Sequence, residues 1–375
     1  GGGDYANPFC ADRRCGDAAP AIDAQQRGRL ARFFDEQPAM GPVSLVARAP
    51  AAALARAPGG NEDWQYRAGS VVCALAAAAL ALVLALMLAA RGVPWTGWLP
   101  LAALCILNPA NGDALQRGHP EEILGAALLA GAALAAAARR PPLLVGLLLG
   151  LSLTTKQWAW IGVLPVLFVV GGEAWRRVAA SALAVVVALT LPMAAGDLRA
   201  FRDATDAAAN PPGTVKPLDI WFPLAKREVV SVRSKDGIDI LTVWRIPDAL
   251  DRLTHPLVAL LGFGLSLAWW LRGRRGNALW LLALVMLVRV LADPLAHPYH
   301  HAPFVLALAV AEASRRPRFP WATVAASACL AVSLRLFDAG SWDTANVTYL
   351  AWAIPAAILL VVAAFGVRSG RRVAA

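Results

Sequence analysis

Charge is scarce in this chain. Only 16% of its 375 residues are charged, where a soluble domain carries about 25%. Hydrophobic residues make up 58%, and mean hydropathy is +0.54. Nucleotide-binding motifs are missing too. No G-x-G-x-x-G follows a strand-like run, and there is no P-loop and no G-x-S-x-G. That excludes a nucleotide-sugar donor held on a Rossmann domain. Cysteines number only five. Cys10 and Cys15 lie in FCADRRC, and outside the cytoplasm this spacing predicts a local disulfide. A metal site there would need further ligands, and no histidine is near. Cys73, Cys105 and Cys329 fall in apolar segments, where cysteine packs as a small hydrophobe. Neither a short repeat nor the inverted halves of a transporter are evident.

What the chain has in abundance is apolar runs, at 70–90, 122–138, 178–195, 256–271, 278–291, 321–336 and 349–367. Most approach the roughly 20 residues that cross a bilayer. Runs at 99–107, 143–153, 160–170 and 302–313 are shorter and read as tilted, broken or partly inserted pieces. Lipid offers backbone groups no partner, so the expected fold is an all-α polytopic membrane protein with about eleven membrane segments. Residues 1–68 form a first outer loop with interfacial helices, and 69–195 form helices around a polar elbow at 108–122. A second long outer loop spans 196–255, and helices fill 256–375.

Charge orients this stack. One set of short loops holds 14 arginines, at 91, 139, 140, 176, 177, 272, 274, 275, 315, 316, 318, 368, 371 and 372. The alternate set holds only Arg117, Lys156, Arg289 and Arg335. The excess marks the cytoplasmic side of a multi-pass cell-membrane protein. The 196–255 loop carries nine basic residues, but long loops translocate largely regardless of charge. Anionic membrane lipids account for the net charge of +10 without a nucleic-acid partner. Gly1 then starts outside, so a preceding outward-running helix or a cleaved signal is expected.

The ionisable residues gather on the outer side. The elbow holds Asn108, Asn111, Asp113, Gln116, Arg117, His119, Glu121 and Glu122, and Lys156 ends the apolar run at 143–153. Such groups at membrane depth are costly and kept for function, although a solvated turn has a similar composition. Behind Arg289 come Asp293, His297, Tyr299, His300 and His301. Their spacing lacks the one-face geometry of a metal motif. An aromatic and imidazole wall for sugar or phosphate is the better expectation, with an interfacial turn as the plain alternative. In the long outer loop, 229–232 and 238–244 are strand-like, and Trp221, Phe222 and Trp244 suit an aromatic belt. The first loop holds Asp12, Asp17, Asp23 and Asp35, then an apolar segment at 43–54 carrying Arg48 that suits the interface plane.

An enzyme with its site on the outer face cannot draw on ATP or nucleotide sugars, so its activated donor must arrive in the lipid. A polyprenyl-phosphate sugar meets that demand. An aspartate deprotonates the acceptor hydroxyl, and Arg, Lys or His stabilises the leaving phosphate. At this point the order of features resembles the GT-C class of integral-membrane glycosyltransferases, in particular the polyprenyl-phosphate-mannose-dependent mannosyltransferases. The residues that carry the resemblance run from Asp17-Ala18-Ala19 through Gly28 to Gln37-Pro38 and Arg48-Ala49-Pro50. They continue with Asn108-Pro109, Gly118-His119-Pro120-Glu121, Arg139-Arg140, Gly146 to Gly150, and Lys156 ahead of Pro165. His119 stands where the family has Gln, and Glu121 stands near its Asn slot.

The resemblance implies Asp17 as catalytic base, with Asp12 and Asp23 as rivals for that position. Substrate contacts are expected among His119, Glu121, Glu122, Lys156, Arg289, His300 and His301. The reaction moves a hexose such as mannose from the polyprenyl-phosphate sugar to a lipid or glycan acceptor, with no resident cofactor and no metal ligands among the site residues. Two other classes remain open. A lipid-linked glycan flippase or transporter would spread charges through the bilayer depth. A glycan ligase or polymerase would rest on Arg and His, which keeps the Arg289 and His297 to His301 group in play.

Overall fold

The computed structural model describes residues 41–56, 62–196, 198, 201–202, 215–234, 237–273, 277–294 and 296–366. The expectations for Asp12, Asp17, Asp23, Asp35 and the Cys10–Cys15 pair lie outside the described residues. The described chain is mostly helical. Helix α1 (Pro42–Arg56) leads into the long α2 (Glu62–Ala90) and then α3 (Trp95–Leu107). The polar elbow is itself a helix, α4 (Pro109–Arg117). Next come α5 (Pro120–Ala137), α6 (Pro142–Leu153), a 3-10 helix (Gln157–Gly162), α7 (Val163–Val170) and α8 (Ala174–Gly196). After the long loop follow α9 (Asp248–Leu271), α10 (Ala278–Ala292), a second 3-10 helix (Pro298–His301), α11 (Ala302–Ala313), α12 (Trp321–Asp338) and α13 (Trp342–Phe365).

Six helices are long and apolar enough to cross a membrane: α5, α8, α12, α13, and the stretches Trp64–Ala90 of α2 and Arg252–Leu271 of α9. Pro142–Leu153, Gln157–Val170 and Ala278–Ala292 are apolar but shorter. Burial separates two layers. The α5 span is 83% buried, while the α8 span is 11% buried. Helices α10 and α11 are buried almost throughout and pack against each other, and α11 packs on α5. These three form the centre. The outer helices show bare leucines and valines, among them Leu82 and Leu86 of α2, Leu183 and Leu191 of α8, Leu260 of α9, and Leu359 and Val362 of α13. So much exposed apolar surface suits hydrocarbon rather than water. Cys73 and Cys105 are buried, and Cys329 is half-buried.

Close packing relies on small residues. Gly146 and Gly150 share one face of α6, one turn apart. A Cβ on Gly150 would come within 2.7 Å of the Ala182 carbonyl oxygen and of the Val185 Cβ. One on Gly146 would lie 2.5 Å from the Ser181 Cβ. The two backbones therefore approach as in other small-residue membrane interfaces.

Hydrogen bonds sort the turns into two sets. Thr96 Oγ1 donates to the Arg318 carbonyl at 2.9 Å, and Asn277 N donates to the Ala364 carbonyl at 2.9 Å. Those contacts gather arginine-rich turns at one end. At the other end Arg117 meets Asp338 at 2.8 Å, and Lys216 N donates to the Pro294 carbonyl at 3.1 Å. The long loop forms an antiparallel hairpin, β1 (Lys226–Ser234) with β2 (Gly237–Arg245), where both strand-like stretches were expected. Trp221, Phe222 and Trp244 pack against the protein itself. The Phe222 ring lies 5.0 Å from Trp244, which lies 6.3 Å from Trp342, and Trp221 Nε1 donates to the Ala292 carbonyl at 2.7 Å. They fasten the loop over the end of the bundle.

Candidate functional site

The elbow places the site. Asn108 caps α4, its side chain accepting from Asn111 N at 3.0 Å, and Pro109 fits the first turn, where no backbone donor is needed. Gly118 ends α4 at φ 88°, a left-handed conformation that glycine adopts without strain. The chain thereby reverses, and Pro120 starts α5 with Glu121 and Glu122 in its first turn. Carboxylates suit the positive end of a helix.

Both carboxylates are buried, at 0% and 1% exposure. Lys156 joins them, its Nζ 2.8 Å from Glu121 Oε1 and 3.3 Å from Glu122 Oε1. His119 Nδ1 reaches Glu121 Oε1 at 3.1 Å, and Arg48 Nη1 lies 3.5 Å from Glu121 Oε2. Arg48 is fully buried, so α1 docks against the bundle here rather than lying free in the interface. Glu122 Oε2 accepts from Trp158 Nε1 at 2.8 Å, and His300 Nε2 stands 3.9 Å from Glu122 Oε1. Arg289 donates from Nη1 to the His300 carbonyl at 3.2 Å, and its guanidinium lies over the Trp158 ring, 5.2 Å from the centroid.

Hydrogen bonds fix two imidazole tautomers. His300 Nδ1 accepts from His297 N at 3.2 Å, so in the neutral ring Nε2 carries the proton and faces Glu122. Burial pushes the pKa of His300 well down, with Arg289 nearby acting the same way. His301 Nδ1 bonds the Pro298 carbonyl at 2.9 Å, an acceptor only, so its Nε2 accepts from the Tyr349 hydroxyl at 3.0 Å. Tyr299 is stacked between His119 at 4.6 Å and His297 at 5.0 Å. The structure thus brings His119, Glu121, Glu122, Lys156, Arg289 and His300 into one cluster. The ring of His301 is directed to Tyr349.

Sequence reasoning named Arg48 and Asp113 without joining them to the site, and it missed Trp158 and Asp219. Trp158 and Arg48 join the cluster through contacts far apart in the chain. Asp113 accepts from Tyr299 N at 3.1 Å and pairs with Arg117 at 2.6 Å, bracing the elbow against the histidine turn. Burial raises its pKa, while Arg117 pulls the other way. Asp219 is fully buried and accepts from Trp221 N and Phe222 N at 2.6 and 2.7 Å. Burial raises its pKa well above the usual range. The residue before it, Leu218, holds φ 88°, and Asn346 Oδ1 accepts from its N–H at 2.9 Å. Polar caps of this kind leave no periodic signal in a sequence. Among the described residues no group of three His, Cys, Asp or Glu side chains is arranged to hold a metal.

A cavity of about 660 Å³ opens between α2 and the elbow, with Arg67, Ser70, Val71, Leu115 and Gln116 on its walls. Val71 is more than half exposed, so this wall continues the exposed apolar surface of α2. Comparison with family models, with curated proteins and with solved structures gives no match to the chain.

Proposed function

We propose that this chain is a membrane-embedded glycosyltransferase. It moves a hexose, mannose by its resemblance, from a polyprenyl-phosphate donor to a lipid or glycan acceptor at the extracytoplasmic face. The observation that carries the reading is the buried ion cluster of Glu121, Glu122 and Lys156, at the end of the bundle away from the arginine-rich turns. Ions buried in an apolar bundle are costly, and well-packed hydrophobic residues would serve stability as well or better. The arginine bias assigns that end to the outside. With the shorter runs at 99–107, 143–153, 160–170, 278–291 and 302–313 added to the six long helices, the proposed crossings number about eleven. The cavity beside the elbow, with the exposed Val71 on its wall, is where a lipid-borne donor would approach.

In the proposed reaction a carboxylate takes the proton of the acceptor hydroxyl, and that oxygen bonds to the anomeric carbon. The bond from this carbon to the phosphate oxygen breaks, and the lipid phosphate leaves with its electron pair. The resemblance gives the base role to Asp17. Glu121 and Glu122 anchor sugar hydroxyls, while His119, Lys156 and His300 contact sugar or phosphate.

A ligase or polymerase is the second reading, favoured by the hydrogen bond from Arg289 to the His300 backbone. The two separate in a transfer assay with reconstituted protein and polyprenyl-phosphate mannose. Loss of a general base lowers turnover by about a hundredfold or more. That loss in Asp17→Asn, with only a partial loss in His300→Ala, is the transferase outcome. The reverse pattern is the ligase outcome.

A further inference from the structure

The cations of the cluster are not equivalent. Lys156 lies between Glu121 and Glu122, and Arg48 lies on Glu121. Arg117 is held by Asp113 and Asp338. Arg289 differs from all three. It is 5% exposed, yet it has no carboxylate within salt-bridge distance among the described residues. One of its N–H groups goes to the His300 carbonyl. Among the described residues its charge is otherwise met by the face of Trp158.

Trp158 keeps it so. The edge of the indole holds an acid, through Nε1 to Glu122 Oε2, and the face of the same ring holds the cation. Glu122 also lies 3.9 Å from the His300 ring whose backbone carbonyl anchors Arg289. Acid and guanidinium are therefore held by the same ring, one at its edge and the other over its face. A guanidinium stacked on an aromatic face keeps its in-plane N–H donors available. Burial leaves it weakly hydrated and strengthens its attraction to an incoming anion.

We infer that Arg289 is the residue that binds the anionic group of the substrate, and that Trp158 is a positioning residue that holds it apart from Glu122. The inference rests on the proposed lipid-phosphate donor and deepens it. Lys156 then balances the two glutamates, and the phosphate recognises the fork of Arg289, which offers two parallel hydrogen bonds.

The test is calorimetric binding of farnesyl phosphate and of farnesol to the full chain in detergent. Wild type prefers the phosphate. Arg289→Gln reduces that preference by about tenfold or more, the worth of a charge-assisted hydrogen bond. Trp158→Leu reduces it equally although Arg289 is present, because the guanidinium collapses onto Glu122. Trp158→Phe retains the ring face and the preference. The double variant Trp158→Leu with Glu122→Gln regains it, an outcome that a purely structural role for the ring would not produce. An unchanged preference in Arg289→Gln overturns the inference, and so does a double variant as weak as Trp158→Leu alone. Those results come from a wild type that still selects the phosphate. A wild type that binds farnesol as tightly overturns the lipid-phosphate reading itself.

Discussion

Lys156 is the residue on which the buried acids depend. Replacing it with Met removes the ammonium that both Glu121 and Glu122 reach in a buried part of the bundle. Breaking a buried pair in this way costs about 3–5 kcal/mol. Thermal unfolding in detergent should show a large drop for Lys156→Met, and adding Glu121→Gln and Glu122→Gln should recover much of it. His301 makes a different prediction. Burial pushes its pKa down to about 4 from the ordinary 6.5. Between those values the unfolded chain binds more protons than the folded one, so stability falls as pH drops through that window. His301→Gln should flatten this part of the pH dependence of the melting temperature relative to wild type. A slope unchanged by the substitution would show that His301 titrates normally. At this scale the sequence showed which residues are chemically unusual, but not how they pair. Lys156 and the two glutamates stood out as ions among apolar runs. Trp158 and Arg48 did not, because their partners lie 36 and 73 positions away.

Elements were more legible than contacts. Hydrophobic length alone marks α2, α5, α8, α9, α12 and α13, and alternating β-branched residues mark the hairpin. The elbow read as a polar link between apolar runs, with a solvated turn as the plain alternative, yet Asn108, Pro109 and Gly118 supply the cap, first turn and stop of a helix. Which helices lie at the centre was not readable. Helix α10 and the peripheral α13 are equally apolar in sequence, and only packing tells buried from lipid-facing. The Gly146 and Gly150 pair was visible as a glycine-rich helix, and its role follows from the α8 backbone beside it. Gly150→Val should push α6 away from α8 at a cost of about 1–3 kcal/mol. The measurement is the melting temperature together with the monodisperse fraction on size exclusion. Gly112 has open space where a Cβ would go and serves as the control, since Gly112→Ala should change neither. Equal behaviour of the two variants would contradict the close α6–α8 approach.

For the whole molecule the account joins two observations, a bundle with two kinds of end and a charge cluster at one of them. The ends can be told apart chemically. A cysteine at Arg140 belongs to the arginine-rich end, and one at the exposed Gln116 belongs to the elbow end. An impermeant thiol reagent added outside intact cells should label the second and spare the first. The opposite pattern would place the cluster in the cytoplasm, where nucleotide sugars are plentiful and the argument for a lipid-borne donor lapses. The most direct measurement follows the sugar itself. The chain is reconstituted in sealed vesicles with labelled polyprenyl-phosphate mannose and a glycan acceptor. The account predicts that label leaves the lipid and becomes covalently bound to the acceptor, that Glu122→Gln suppresses this, and that a nucleotide-linked mannose does not substitute for the donor. Label that crosses the membrane while still attached to its polyprenyl phosphate, with none on the acceptor, would contradict it and make the chain a transporter.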